Sequence, residues 1–173
     1  MPITLTNTNM TLPDGSTLDT GRMIQSAFAT TTAARQTINS ATPVLITGLS
    51  INFTPISATS VIGITAYVLN SATHVNGIAI YKDGLPTVEN RRYTNNVFPD
   101  MNLTQFNTGD TTGIYLHTVR VTHYENSYGN TARTYGVYAI SRWSGTSYPL
   151  YINNLSGNTM AGFSYMHIFE YER

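Results

Sequence analysis

β-branched and aromatic residues fill nearly every apolar segment of this chain, and the spacing of three and four residues that marks an amphipathic helix is almost missing. The best helical candidate, residues 31–35, is too short to form a stable helix. Apolar and polar residues instead alternate with a period of two, which is the pattern of a strand with one buried face. These patterns predict an all-β fold.

Two segments near the middle of the chain predict interior strands. Residues 60–69 and 75–82 are apolar on both parities, as expected for strands that are covered on both sides, and we place them at the centre of the sheet. The second segment runs into Asp83-Gly84, a dipeptide typical of a tight hairpin turn.

Several further segments predict strands. Residues 44–53 alternate around Gly48, which is a candidate position for a β-bulge. The other strand segments are residues 114–123, 134–143, 150–153 and 160–172. Eight to ten strands with loops between them predict an antiparallel β-sandwich, and the broadly apolar strands predict one face covered by a partner chain as well as by the core.

Aromatic, arginine and amide residues concentrate in the predicted loops at residues 89–110 and 124–131, and in a third group around the predicted turn at residues 145–149. Rigid aromatic rings can stack on sugar rings while amides and arginines bond to hydroxyls, and the same residue types form adaptable protein-binding loops. The alternative is that these rings only pack the domain or a subunit interface. The candidate receptor-binding residues are Arg91, Arg92, Tyr93, Tyr124, Asn126, Tyr128, Arg142, Trp143 and Tyr148.

Composition excludes several kinds of site. The chain contains no Cys, so disulfides, thiolate metal sites and cysteine nucleophiles are ruled out. Only 10% of its 173 residues are charged, against about 25% in a typical domain. Without a basic stretch, nucleic acid is disfavoured as a partner. The longest apolar stretches are broken well before the roughly 18 residues of a membrane helix, so we expect no membrane insertion, and the N-terminus lacks the features of a signal peptide.

No pattern indicates catalysis or a cofactor. The histidines stand in no metal-ligand spacing, and no nucleophile elbow, P-loop or dinucleotide fingerprint is present. Among the carboxylates, only Glu170 and Glu172 approach a pair within one element, and we interpret them as solvated residues at the end of the last strand. The chain is therefore predicted not to be an enzyme. If it were one, a polysaccharide depolymerase would be the best candidate, and this ranks third behind two non-enzymatic hypotheses.

The first twenty residues differ in kind from the rest. They place Asn7, Asn9 and Pro13 among threonines, with little that could anchor a core. We predict a short extended arm at residues 1–20, which docks the β-sandwich domain of residues 21–173 onto something else.

One stretch resembles a known family. Residues 47–64 begin with Thr-Gly-Leu-Ser and continue through Phe-Thr-Pro, and residues 77–84 end in Lys-Asp-Gly. With residues 21–25 as an entry strand, they resemble the C-terminal module of tail-fibre and other virion proteins of tailed bacteriophages. The resemblance covers residues 21–84, under half of the chain.

The resemblance implies a jelly-roll-like sandwich, usually trimeric, that is displayed on a virion and contacts the host surface. It carries no catalytic or metal motif. Our leading hypothesis is a homotrimeric virion surface protein, tail-fibre or spike-like, whose loops bind a host cell-surface glycan or protein and whose arm binds other virion proteins. The alternative is a capsid decoration or neck protein that acts in particle assembly and stability.

Overall fold

The protein is described by a computed structural model over residues 4–5, 9–11, 17–19, 22–32, 35–71, 76–87, 102–104, 116–127, 129–141, 149–154 and 162–172. No helix occurs in these residues, and every strand pair among them is antiparallel. The all-β prediction is confirmed. The strands are β1 (Thr4–Leu5), β2 (Asn9–Thr11), β3 (Thr17–Asp19), β4 (Met23–Thr30), β5 (Gln36–Ile38), β6 (Val44–Phe53), β7 (Val61–Ser71), β8 (Asn76–Lys82), β9 (Leu85–Pro86), β10 (Asn102–Thr104), β11 (Leu116–Asn126), β12 (Arg133–Ser141), β13 (Leu150–Ile152) and β14 (Tyr165–Tyr171).

Two sheets share one hydrophobic core and form a sandwich-like arrangement. In the first sheet, one side of β7 pairs with β11. The other side of β7 pairs first with β14 and, further along, with β13. The sheet ends with β4, which pairs with β14, and with β5, which pairs with β13. The second sheet has the order β10-β8-β12-β6, with β9 beside β8. Fully buried side chains from both sheets, such as Ile64, Ile80 and Val137, meet in the core.

The two segments that were predicted to form the centre of one sheet are interior strands of different sheets. β7 lies in the first sheet and β8 in the second. Both have nearly continuous burial, as their apolar sequences predict. The hairpin turn after β8 is confirmed, because Asp83 and Gly84 both have positive φ, at 51° and 80°, and Lys82 pairs with Leu85.

The predicted irregularity in β6 is also confirmed. Its pairing with β12 shifts register between Gly136 and Tyr138, so that extra residues of β6 bulge out around Gly48. Gly48 has a φ of 90°, and a Cβ there would lie 2.5 Å from the carbonyl oxygen of Thr30. Only glycine fits this close approach between β6 and the end of β4.

The segment predicted as an extended arm contains three short strands. β1, β2 and β3 pair in chain order as a small antiparallel sheet, with Leu5 opposite Met10 and Met10 opposite Leu18. This local pairing satisfies backbone hydrogen-bonding groups that a single extended strand would leave to solvent or to a partner.

Candidate recognition surface

The outer face of the first sheet carries an ordered set of aromatic side chains. The register aligns β4, β14, β7 and β11, so that four residues lie side by side in each of four rows on this face. In that strand order, the rows are Thr30, Tyr165, Tyr67 and Arg120; Phe28, His167, Thr65 and Thr122; Ser26, Phe169, Gly63 and Tyr124; and Met23, Tyr171, Val61 and Asn126. The intervening residues of β7 and β14, such as Ile64 and Ile168, point into the core.

Seven rings form a continuous array on this face, which we call the aromatic band: Phe28, Tyr67, Tyr124, Tyr165, His167, Phe169 and Tyr171. Their neighbouring ring centroids are separated by 5.0 Å (Tyr67 and Tyr165), 5.1 Å (Phe169 and Tyr171), 5.6 Å (Phe28 and Tyr165; His167 and Phe169), 6.3 Å (Phe28 and His167) and 6.4 Å (Tyr124 and Phe169). These spacings are those of stacked and edge-to-face aromatic pairs, so each ring holds its neighbour in place.

A glycine in β7 lets the band lie flat on the sheet. The ring of Phe169 lies over Gly63, where an added Cβ would come within 1.9 Å of the ring. The band therefore covers the outer side of β7 from Val61 to Tyr67, which explains why this strand is apolar on both parities there.

The aromatic band is partly open to solvent in the single chain, because two of its rings are exposed and the other five are half-buried. Phe28 is 60% exposed and Tyr124 is 47% exposed, and Met23 beside them is 53% exposed. The second sheet differs, because Ala79, Tyr81 and Ile140 form a separate cluster that is buried. Large contiguous apolar patches are rare on the surfaces of single soluble chains, so this face is the candidate binding surface of the described residues.

The ionic groups are distributed unevenly around this face. All four carboxylates whose side chains are described lie elsewhere, and three of them pair with cations: Lys82 with Glu125 at 2.5 Å, Arg133 with Asp83 at 3.0 Å and Arg22 with Glu172 at 3.1 Å. The fourth, Glu170, is enclosed by neutral donors. Each of the two other described cations lies on a tyrosine ring of the first sheet: Arg120 over Tyr67 at 5.7 Å and Arg35 over Tyr151 at 4.4 Å.

Two of the nine predicted receptor-binding residues lie in the described part of the chain, and both belong to the outer face. Tyr124 and Asn126 were predicted in a loop, which is wrong, because β11 extends to Asn126 by pairing with β7 along its full length. The alternation of residues 114–123 simply continues through Asn126, with Glu125 pointing inward. The other seven lie outside the described residues: Arg91, Arg92, Tyr93, Tyr128, Arg142, Trp143 and Tyr148.

The interpretation of Glu170 as a solvated end residue is also wrong. Glu170 is fully buried at the end of the core, where it accepts hydrogen bonds from the Ser60 hydroxyl at 2.5 Å and from the backbone amides of Ile56 and Ser57 at 2.9 and 3.0 Å. Burial raises the pKa of this carboxyl, but the bonds from Ser60, the two amides and Gln25 outweigh it, and the net pKa lies below the usual value. Glu170 is therefore a structural residue that ties the β6–β7 corner to β14.

A second buried carboxylate joins the two sheets. Glu125 of β11 accepts hydrogen bonds from the Lys82 ammonium and from the Tyr135 hydroxyl, and His123 Nε2 lies 3.5 Å from its Oε2. Burial by itself raises the pKa of Glu125. The hydrogen bonds from His123, Lys82 and Tyr135 have a larger and opposite effect, so that the pKa falls to about 2. Burial and the bond to Glu125 raise the pKa of Tyr135.

A cavity of about 370 Å³ opens beside this cluster, between Leu85, Pro86, His123 and the two ion pairs. Its charged groups already neutralise one another, since Lys82 pairs with Glu125 and Arg133 with Asp83. The cavity therefore presents no net charge for a ligand, unlike the outer face.

Several residues of the band were not identified from the sequence as functional. The shared parity of Tyr165, His167, Phe169 and Tyr171 is visible in the sequence, but parity alone does not say which face meets the core. Phe28, Tyr67 and Arg120 lie on three other strands, and only the register of the sheet brings them together.

Comparisons with known proteins do not assign the chain to a family. No protein-family model matches it, and no curated protein matches its sequence. The part of the chain that the structure describes holds no helix long and apolar enough to cross a bilayer. Within the same residues, no three His, Asp or Glu side chains come together in a group able to hold a metal ion.

Proposed function

We propose that this chain is a virion surface protein of the tail-fibre or spike type, which binds a cell-surface glycan or protein of a bacterial host. The observation that supports a binding role best is the aromatic band, which is partly exposed in the single chain and continuous over four strands. Tyrosine rings with hydroxyl tips and neighbouring Thr and Asn side chains suit both sugar rings and polar protein surfaces.

The strand order supports a jelly-roll assignment for the domain. The order β11-β7-β14-β4 faces the order β10-β8-β12-β6, and the chain crosses between the sheets at each step from β4 through β6 and β7 to β8, and again at each step from β10 through β11 and β12 to β14. Eight strands that cross between two sheets in this way are the arrangement expected of the two Greek keys of a jelly roll. This order agrees with the resemblance to phage virion proteins, which rests on separate observations.

In this proposal the protein is a homotrimer, and residues 1–20 bind other virion proteins. Light scattering at micromolar concentration is expected to give a mass three times 19.0 kDa. A stable monomer at that concentration would contradict the trimer.

The second candidate function is a capsid decoration or neck protein. Met23 and Phe28, the most exposed apolar side chains of the face, carry no hydroxyl and suit a dry contact between subunits. In that case the aromatic band is buried by a neighbouring subunit and binds no host component.

One pair of measurements separates the two functions. If the band binds the host, Phe28→Ala and Tyr124→Ala weaken adsorption to bacterial cells while light scattering shows the same oligomer. If the band joins subunits, the same variants dissociate the oligomer and no longer saturate particles that lack this protein. Leu85→Ala is the matched control, because Leu85 is 71% exposed but lies on β9 of the second sheet. It should change neither result.

A further inference from the structure

Among the described residues, the charged side chains on the outer face of the first sheet are arginines, and none of them is a carboxylate. Arg120 stands in the row of Tyr67 and Tyr165, and Arg35 stands over Tyr151, which lies between the inward-pointing Leu150 and Ile152 and so faces outward. Neither arginine has a carboxylate partner among the described residues, whereas the other described cations all do. No carboxylate occupies any of the sixteen outer-face positions in the four rows.

Two arginines held on tyrosine rings are suited to carboxylates. Attraction to the ring face restricts the positions of the guanidinium, so less side-chain entropy is lost when its donors bond to an anion. A guanidinium and a carboxylate can form two parallel hydrogen bonds, which are stronger than bonds between neutral groups. A neutral ligand would use the aromatic band but would leave these two charges without a partner.

The spacing of the arginines favours an extended ligand. Arg120 pairs with Tyr67, and Tyr151 pairs with Ser71, four residues further along β7. At about 3.3 Å per residue, the two rows are about 13 Å apart. A single sugar does not reach both rows, whereas an oligosaccharide can place one carboxylate at each arginine, with Tyr67 at one end of the span and Tyr151 at the other.

We propose that the outer face formed by β4, β14, β7 and β11, together with Tyr151 and Arg35 at its end, binds an acidic polysaccharide of the cell surface. Its sugar rings stack on the aromatic band, and its carboxylates bond to Arg120 and Arg35. The inference rests on the proposed role in host binding, and it adds the site and the chemical class of the glycan.

The test uses the full-length protein and defined oligosaccharides. Calorimetry with oligogalacturonate is expected to show binding that weakens as salt is raised, because the ion pairs are exposed and screened. Uncharged dextran oligomers of matched length should bind weakly or not at all. Arg120→Gln and Arg35→Gln should each reduce the affinity for oligogalacturonate about tenfold, as expected for the loss of one charge-assisted bond of about 1.4 kcal/mol.

Control variants separate this site from general charge effects. Arg133→Gln also removes one positive charge, but Arg133 lies on the second sheet and pairs with Asp83. Its affinity should stay within twofold of the wild type. Equal losses in Arg133→Gln and Arg120→Gln would overturn the proposal, since the effect would then come from net charge alone.

Adsorption to encapsulated and unencapsulated bacterial strains distinguishes failure of this inference from failure of the proposed function. If the wild type adsorbs to cells and both Arg→Gln variants adsorb equally well, the acidic-glycan site is wrong while host binding stands. If no strain is bound but oligogalacturonate affinity still depends on Arg120 and Arg35, the site stands and host binding fails. Dissociation of the oligomer in either variant would overturn the site, because the face would then be a subunit contact.

Discussion

Replacing Glu125 with glutamine tests whether this carboxylate stabilises the contact between the two sheets. Glu125 is held by Lys82, His123 and Tyr135, and only 13% of its side chain is exposed. Its pKa falls from 4.5 to about 2 in the folded protein. At 1.36 kcal/mol per pKa unit, this difference corresponds to about 3 kcal/mol of stability that depends on the ionised carboxylate.

The sign of the pH dependence follows from the direction of the shift. The folded pKa of Glu125 is lower than the unfolded value, so the unfolded state takes up a proton first as the solution is acidified. The contribution is complete above pH 4.5 and is lost as the pH falls from there toward 2. Since the total stability of a domain is about 5–15 kcal/mol, the loss is large enough to measure.

The assay is urea unfolding followed by circular dichroism between pH 7 and pH 2.5, for the wild type and for Glu125→Gln. The free-energy difference between them is expected to shrink by about 3 kcal/mol as the pH approaches 2. Glu172→Gln is the control, because Glu172 and Arg22 are about half exposed and such pairs contribute under about 1 kcal/mol.

A difference between wild type and Glu125→Gln that is the same at every pH would refute this account. If Glu125→Gln does not fold, an NMR titration of the Glu125 carboxyl in the wild type answers the same question. A midpoint near 2 is expected, and a midpoint near 4.5 would show that the three donors do not stabilise the ionised form.

Three further predictions, which use four substitutions, test the packing. Gly48→Ala is expected to lower the free energy of unfolding by about 3 kcal/mol, because its Cβ would meet backbone atoms. Gly84→Ala, also at positive φ but in open space, should lower it by about 1 kcal/mol. Equal losses of melting temperature in the two variants would contradict this. Glu170→Gln should cost about 2–3 kcal/mol in urea unfolding, and a loss below 0.5 kcal/mol would mean that the buried bonds contribute little. Gly63→Ala should displace the Phe169 ring and weaken oligosaccharide binding more than it lowers stability; unchanged aromatic NMR shifts for Phe169 would count against this.

Most of the strands could be predicted from the sequence, because each depends on local properties. The period of two around residues 44–53, the bulge at Gly48 and the turn at Asp83 and Gly84 all come from the backbone preferences of nearby residues. The end of β11 was missed for a physical reason. Tyr124 to Asn126 are polar enough to suggest a loop, but pairing with the complete length of β7 keeps them in the sheet.

The candidate site could be predicted only in fragments. Tyr124 and Asn126 were recognised by residue type, but their partners on this face come from strands up to about 100 positions away in the chain. Arg120 gains its role from the ring of Tyr67 beneath it and from the absence of a neighbouring carboxylate. Neither property can be obtained from residue spacing within one strand.

The sequence by itself determined that the chain is all-β and which residues share a strand face, because alternation is a property of each strand alone. The tertiary structure alone decided which face turns inward. In β14 it buries the side with Met166, Ile168 and Glu170 and leaves the aromatic side outward. A carboxylate can occupy that core only because Ser60 and the amides of the β6–β7 corner, more than 100 residues away, donate hydrogen bonds to it. Long-range donors thus allow the side of β14 that carries Glu170 to face the core, and the aromatic side of the same strand faces outward.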